Sequence, residues 1–306
     1  MEWLTDRARG TFAGFVLGDS LGIPTSGMTA DEVTDKYGFI TGVGDLGDHA
    51  RHPRAPRGST SSYTELMLHS ARLIGEDSID AGGEPRDPHP RHTPAFSTAR
   101  AAAMALPIGV AYSVAAHGDL LFTTVDDLCS VTNESRQSRE AAMIVAAAIS
   151  AAIDGQTVHE AIDIALAQTA GATIGGHRTS EASVVARTLQ ALDWAADLRS
   201  IELVGHLHDV VGLSVSAGEA VPAAMTLARA YSRDPFRGVC AATQLGGESP
   251  LIGALAGALL GAARGIQAYP RDVLDRLDPL ALDMAVADRL LADSGRCSTI
   301  RGATIG

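Results

Sequence analysis

The sequence predicts an all-α fold, on three observations. Apolar residues recur at helical spacing through most of the chain, and strand-like alternation is almost absent. The composition is rich in small residues, with 46% hydrophobic but only 4% aromatic content. Helices of this kind pack at close range through Ala and Gly rather than around large rings. At 306 residues the chain can bury a sizeable core, and it is read as a single domain over residues 1–306.

The elements follow in order. Leu4, Ala8, Phe12 and Phe15 share one helical face and carry the chain to Gly18-Asp19-Ser20-Leu21-Gly22. Residues 42–58, rich in Gly, Asp, His, Arg and Pro, read as a long mobile loop. A helix is expected over 63–74, then a second mobile loop over 81–93, where Pro and charge leave nothing to pack. Further helices are expected over 99–114, 138–153, 158–168, 182–196, 220–231, 237–242 and 249–266, with a closing one over 280–291. Gly253, Gly257, Gly261 and Gly265 recur every fourth residue in the 249–266 helix. Each glycine costs about 1 kcal/mol relative to alanine in a helix interior, so the stripe predicts a central helix closely approached by another backbone.

The bulk numbers exclude several classes. A net charge of -12 is the wrong sign for a phosphate-backbone reader. The longest apolar run, Leu251 to Ala263, is shorter than the about 20 residues a membrane span needs. Cys129, Cys240 and Cys297 are widely spaced and form no disulfide or metal framework, and the N-terminus lacks a secretion signal. A cytoplasmic protein is expected. His206 and His208 are two apart, a poor metal spacing on a helix, and read as solvated or capping. Asp126-Asp127 follows Thr123-Thr124 and reads as capping a helix start.

Several segments point to a family. They are Gly18 to Gly22, Gly58-Ser59-Thr60-Ser61-Ser62-Tyr63-Thr64-Glu65, Ala101 to Gly109, Ser130 to Glu134, Val211 to Ala224, and Leu245-Gly246-Gly247-Glu248-Ser249-Pro250 running into the glycine-striped helix. Together and in this order they resemble the ADP-ribosylglycohydrolase family (the dinitrogenase-reductase-activating glycohydrolase and crystallin J1 group). The resemblance implies a compact orthogonal multi-helix fold. It also implies a binuclear magnesium or manganese site that hydrolyses an N- or O-glycosidic bond of ADP-ribose.

This chain departs from the family at the metal. Where the family has a Thr-Asp-Asp run, it has Ser61, Ser62 and Tyr63; where the family has Asp-Thr-Asp-Thr, it has Glu248, Ser249, Pro250 and Leu251. Ser26 stands at the position of a further family glutamate, Asn133 at a motif histidine, and Arg100-Ala101 at an Asn-Gly. Magnesium wants octahedral oxygen ligation with anionic carboxylates, and a paired site wants more of them. No metal and no cofactor are therefore expected. The candidate catalytic residues are Tyr63 and Glu248, on helix starts expected to meet at the bottom of a cleft. Asp19, Ser61, Ser62, Arg100, Asn133, Glu219 and Ser249 are the candidate ligand-binding residues, with Arg100 alternatively a surface residue near a helix start.

The expected function is non-catalytic binding of ADP-ribose or a related nucleotide or nucleoside, with room for a protein partner and none for nucleic acid or membrane. The alternative is a metal-independent enzyme on a ribosyl or nucleoside-like substrate. A third reading is an active hydrolase with unusual metal ligands.

Overall fold

A computed structural model describes residues 2–42, 58–75, 97–132, 135–198 and 200–293. The expected loops at 42–58 and 81–93 lie outside the described residues, apart from Gly42 and Gly58, as do Asn133 and Cys297. The described residues form α-helices joined by short turns, with isolated bridges and no strands. In chain order the helices are α1 (Glu2–Gly22), α2 (Ala30–Tyr37), α3 (Ser62–Gly75), α4 (Arg100–Ala111), α5 (Val114–Thr132), α6 (Arg136–Ile153), α7 (Val158–Gly171) and α8 (Val184–Trp194). They continue as α9 (Ser200–His206), α10 (Ala217–Ala230), α11 (Pro235–Gln244), α12 (Ser249–Arg264), α13 (Arg271–Leu274) and α14 (Met284–Asp293).

The core is built on α1 against α12. From Gly10 to Gly22 every residue of α1 is buried, and so is every residue of α12 before Arg264. Phe12 and Phe15 supply the bulk beside this pair, each contributing about 2–3 kcal/mol by full burial. At the crossing the helices touch backbone to backbone. A methyl added at Gly10, Gly14 or Gly18 would stand 2.5 Å from Gly261 O, Gly257 C or Ala254 N respectively. The stripe in α12 therefore meets a matching one in α1. Gly265 is not part of it: at φ 81° it is the left-handed residue that ends α12. Tyr269 closes the crossing by donating its hydroxyl to Gly257 O.

Several elements differ from expectation. α2 has no signature in the sequence periodicity, because its eight residues bury Val33 alone. It starts on a capping box, with Glu32 N–H donating to Thr29 Oγ1 and Thr29 N–H to Glu32. α5 runs through Thr123-Thr124, where the sequence points to a helix start. Thr124 Oγ1 instead donates back to Leu120 O at 2.8 Å, within the helix. Asp126-Asp127 thus sit near the end of α5 rather than capping a start. Asp126 pairs with Arg139 at 3.0 Å and accepts from Gly175 N–H at 3.2 Å. α9 continues into a π-helical turn, Leu207–Val211. Cys129 and Cys240 are buried and form no disulfide among the described residues. No helix among the described residues is long and apolar enough to cross a membrane.

Candidate functional site

Three chain segments converge beside the α1–α12 crossing. Asp19, in the last turn of α1, is fully buried. Its Oδ2 accepts from Ser61 N–H at 2.9 Å and from Thr64 Oγ1 at 2.5 Å. Ser61 Oγ in turn accepts from Tyr63 N–H at 3.1 Å. Asp19 therefore fixes the start of α3 and with it the position of Tyr63.

The second arm is the turn before α12. Gly246 and Gly247 have φ 69° and 55°, a left-handed pair that a side chain would strain. It lets Gly247 exchange backbone hydrogen bonds with Gly27 and Met28, at 2.7 and 2.8 Å, while Glu248 N–H donates to Leu213 O at 2.8 Å. Glu248 then occupies the N-cap position of α12 without capping it. Its carboxylate turns instead to Tyr63, whose hydroxyl donates to Oε1 at 2.9 Å. Above the phenol lies Arg100, at the start of α4, with Cζ 5.8 Å from the ring centroid in cation–π geometry. Arg100 is buried, so the surface reading of it is overturned.

Electrostatics follow from this packing. Burial, and then the charge of Glu248, pushes the Tyr63 phenol well above its usual pKa, so it remains a proton donor. Burial raises Asp19 to about 6, against the pull of its hydrogen bonds from Ser61 and Thr64. Its Oδ1 has no hydrogen-bond partner among the described residues.

Glu248 opens onto a cavity of about 460 Å³, walled by Ser26 to Met28, Leu213 to Val215, Gly247 and His208. The size lies within the roughly 300–1,000 Å³ of small-molecule sites. His208, which the sequence reads as solvated or capping, lines the cavity. The π-helical turn carries it to the cavity, where it bonds Asp209 at 2.8 Å, while His206 packs edge-on against Trp194. Such turns often mark functional sites, but a residue spacing of two gives no hint of one.

Residues 2–89 and 76–299 match the family described as ADP-ribosylglycohydrolase. The chain belongs to the ADP-ribosylglycohydrolase family. An Escherichia coli (strain K12) protein, "Uncharacterized protein YegU", is 32% identical over 158 residues, 50% of this chain and 47% of that one. The match thus spans about half the length of that relative. A solved structure of an "ADP-ribosylglycohydrolase-related protein complex" superposes with a TM-score of 0.69 over 96% of this chain and 100% of that one, at 23% identity. That likeness is one of fold.

Within the ADP-ribosylglycohydrolase frame, the expected site residues divide. Tyr63, Glu248, Asp19, Ser61 and Arg100 come together as described. Ser62, half-buried, adjoins them at the first position of α3. Ser249 is fully buried, and its hydroxyl donates to Gly22 O at 3.0 Å, joining α12 to α1 rather than facing the cavity. Glu219 folds back to accept from Ser214 N–H at 2.9 Å, stiffening the cavity wall. Glu181 had no sequence signal: it accepts from Ser97, Thr179 and Ser216, and so ties the α4 and α10 starts together.

The family implies magnesium or manganese. Among the described residues no group of three or more His, Cys, Asp or Glu is placed to hold a metal ion. Among the described residues, the carboxylates beside Tyr63 are Asp19, clamped on α3, and Glu248, bonded to a phenol that stays protonated. That donor set does not fit a binuclear magnesium centre.

The Tyr63–Glu248 bond should be energetically coupled. Urea unfolding of Tyr63→Phe, Glu248→Ala and the double variant is expected to give a coupling energy of about 2 kcal/mol, as for hydrogen bonds to charged groups. Additivity within about 0.5 kcal/mol would rule the bond out.

Proposed function

We propose that this ADP-ribosylglycohydrolase-family protein binds ADP-ribose, or a related nucleotide or nucleoside, in the Glu248 cavity, without magnesium and without hydrolysing it. The observation that carries the reading is the direct Tyr63–Glu248 hydrogen bond. Both residues stand at positions the family resemblance gives to metal-binding aspartates. In this reading the hydroxyl–carboxylate pair, 2.9 Å apart, stands where the family resemblance implies two dications. Arg100 behind the phenol supplies a fixed cation, and Ser26, Ser214 and His208 give the cavity polar side chains suited to ribose and phosphate oxygens. In this reading the degenerate metal site belongs to a protein of one domain in the cytoplasm, and its partner is the nucleotide, free or protein-attached.

A second reading rests on the same bond. A phenol donor beside a carboxylate is an acid–base pair, and a metal-free enzyme on a ribosyl substrate would use Tyr63 as the acid and Glu248 as the base. Titration calorimetry with ADP-ribose, with and without magnesium, tests the proposal. The expected result is a dissociation constant of about 1–100 μM, unchanged by magnesium. Binding that requires magnesium overturns it. Release of ADP-ribose from ADP-ribosylated arginine or serine by metal-free protein transfers the case to the second reading.

A further inference from the structure

The wall of the Glu248 cavity is short of hydrogen-bond donors, because much of the backbone that forms it has its N–H groups engaged. Ser26 N–H donates to Ile23 O at 3.3 Å, Gly27 N–H to Gly247 O at 2.7 Å and Met28 N–H to Thr25 O at 3.1 Å. On the facing turn Gly247 N–H donates to Met28 O and Glu248 N–H to Leu213 O, both at 2.8 Å. Ser214 N–H is taken by Glu219 Oε2 at 2.9 Å.

The side chains lean the same way. The Glu248 carboxylate only accepts. His208 is bonded through Nδ1 to Asp209 at 2.8 Å; a carboxylate offers no proton, so Nδ1 carries it and Nε2 of the neutral ring is an acceptor. Ser214 Oγ accepts from Ser216 N–H at 3.2 Å, which leaves its own proton to donate. Among the described residues no Arg or Lys lines the cavity. Arg100 lies against the Tyr63 ring, and Arg187 donates to Val211 O at 3.0 Å.

A phosphate brings acceptor oxygens and negative charge, and the sites that hold it offer N–H groups and cations. This cavity offers the hydroxyls of Ser26 and Ser214 beside the Glu248 carboxylate, in a chain of net charge -12. Each hydroxyl serves an oxygen, but neither offsets a charge. A ligand that is uncharged and rich in hydroxyl or amino donors suits the same wall, because Glu248 and His208 accept from it. Met28, Leu213 and Val215 give a base an apolar surface.

We infer that the cavity selects an uncharged nucleoside over its phosphorylated form, and that the diphosphate of a larger ligand stays outside it. This narrows the proposed function and rests on its reading of the cavity as a nucleotide or nucleoside site.

The test is titration calorimetry with adenosine, guanosine, cytidine and uridine, each beside its 5′-monophosphate, and with ADP-ribose. At low salt at least one nucleoside is expected to bind about tenfold more tightly than its monophosphate, through repulsion between the phosphate and Glu248. The gap should narrow at high salt, which reads the same repulsion in the unaltered protein. In Glu248→Gln, which keeps the size of the side chain and removes its charge, it should fall to about threefold or less. The inference is overturned if every monophosphate binds as tightly as its nucleoside, if salt and Glu248→Gln both leave the gap unchanged, or if ADP-ribose binds and no nucleoside does. The proposed function survives each of those results. If neither the nucleosides, the monophosphates nor ADP-ribose bind, it falls as well.

Discussion

Replacing Gly14 with alanine is expected to lower folding stability by about 3 kcal/mol or more, although the same change in an open helix is stabilising. The added methyl would stand 2.5 Å from Gly257 C and from the Tyr269 hydroxyl oxygen. Over-packing normally costs about 1–3 kcal/mol because side chains can rearrange. Here the atom in the way is backbone, and it can give only if α12 moves as a unit, which also disturbs Gly10 and Gly18 along the same line. Gly205 is the internal control: it is helical, and an added Cβ meets nothing within 4 Å. Gly205→Ala should raise stability by up to about 1 kcal/mol. Urea unfolding of both variants measures the contrast. Equal effects would mean that the α1–α12 contact is looser than described.

Asp19→Asn is expected to stabilise the protein at neutral pH by about 3 kcal/mol and to have little effect near pH 4. Burial raises the Asp19 pKa in the folded state from 3.8 to about 6. Between those values the folded protein holds a proton that the unfolded chain has released. Stability therefore falls as pH rises through that window and is restored on acidification, the reverse of an ion-paired carboxylate. A shift of about two units at about 1.4 kcal/mol each gives the magnitude. Asparagine keeps an oxygen for Ser61 N–H and Thr64 and carries no charge to bury. Unfolding free energies of the two proteins compared at pH 4, 5, 6 and 7.5, as a difference, cancel the other carboxylates. A difference that does not change with pH would place the Asp19 pKa near its unfolded value.

Much of the frame was readable because long apolar periodicity survives without tertiary context. The faces of α1 and α12 are plain in Leu4, Ala8, Phe12 and Phe15 and in the glycine stripe. That α1 carries the matching stripe was not read from its sequence, since spacing within one helix does not name its partner. α2 and α5 escaped for local reasons, the one too short and the other kinked at His117 and carrying threonines that look like caps. At the site, motif positions led to Tyr63 and Glu248, and the structure brings them within one hydrogen bond. Motif position alone could not tell that Ser249 and Glu219 would turn their side chains to the framework. Nor could it find His208, whose place depends on a π-helical turn, or Glu181, whose partners are scattered from Ser97 to Ser216.

The α1–α12 crossing also sets a schedule for synthesis. Gly22 and Ser249, bonded in the finished protein, are 227 residues apart in the chain. At about 5–20 residues per second a ribosome takes roughly 10–45 s between them. Until then α1 keeps its bare glycine ridge uncovered, although α3, α6 and α11, made earlier, also pack on it. Nothing made in the meantime offers the backbone it is shaped to meet. Contacts of such long sequence separation form late and slow the search. The nascent chain should therefore lean on chaperones until α12 emerges, and a ribosome stalled before residue 249 should display α1 as protease-sensitive.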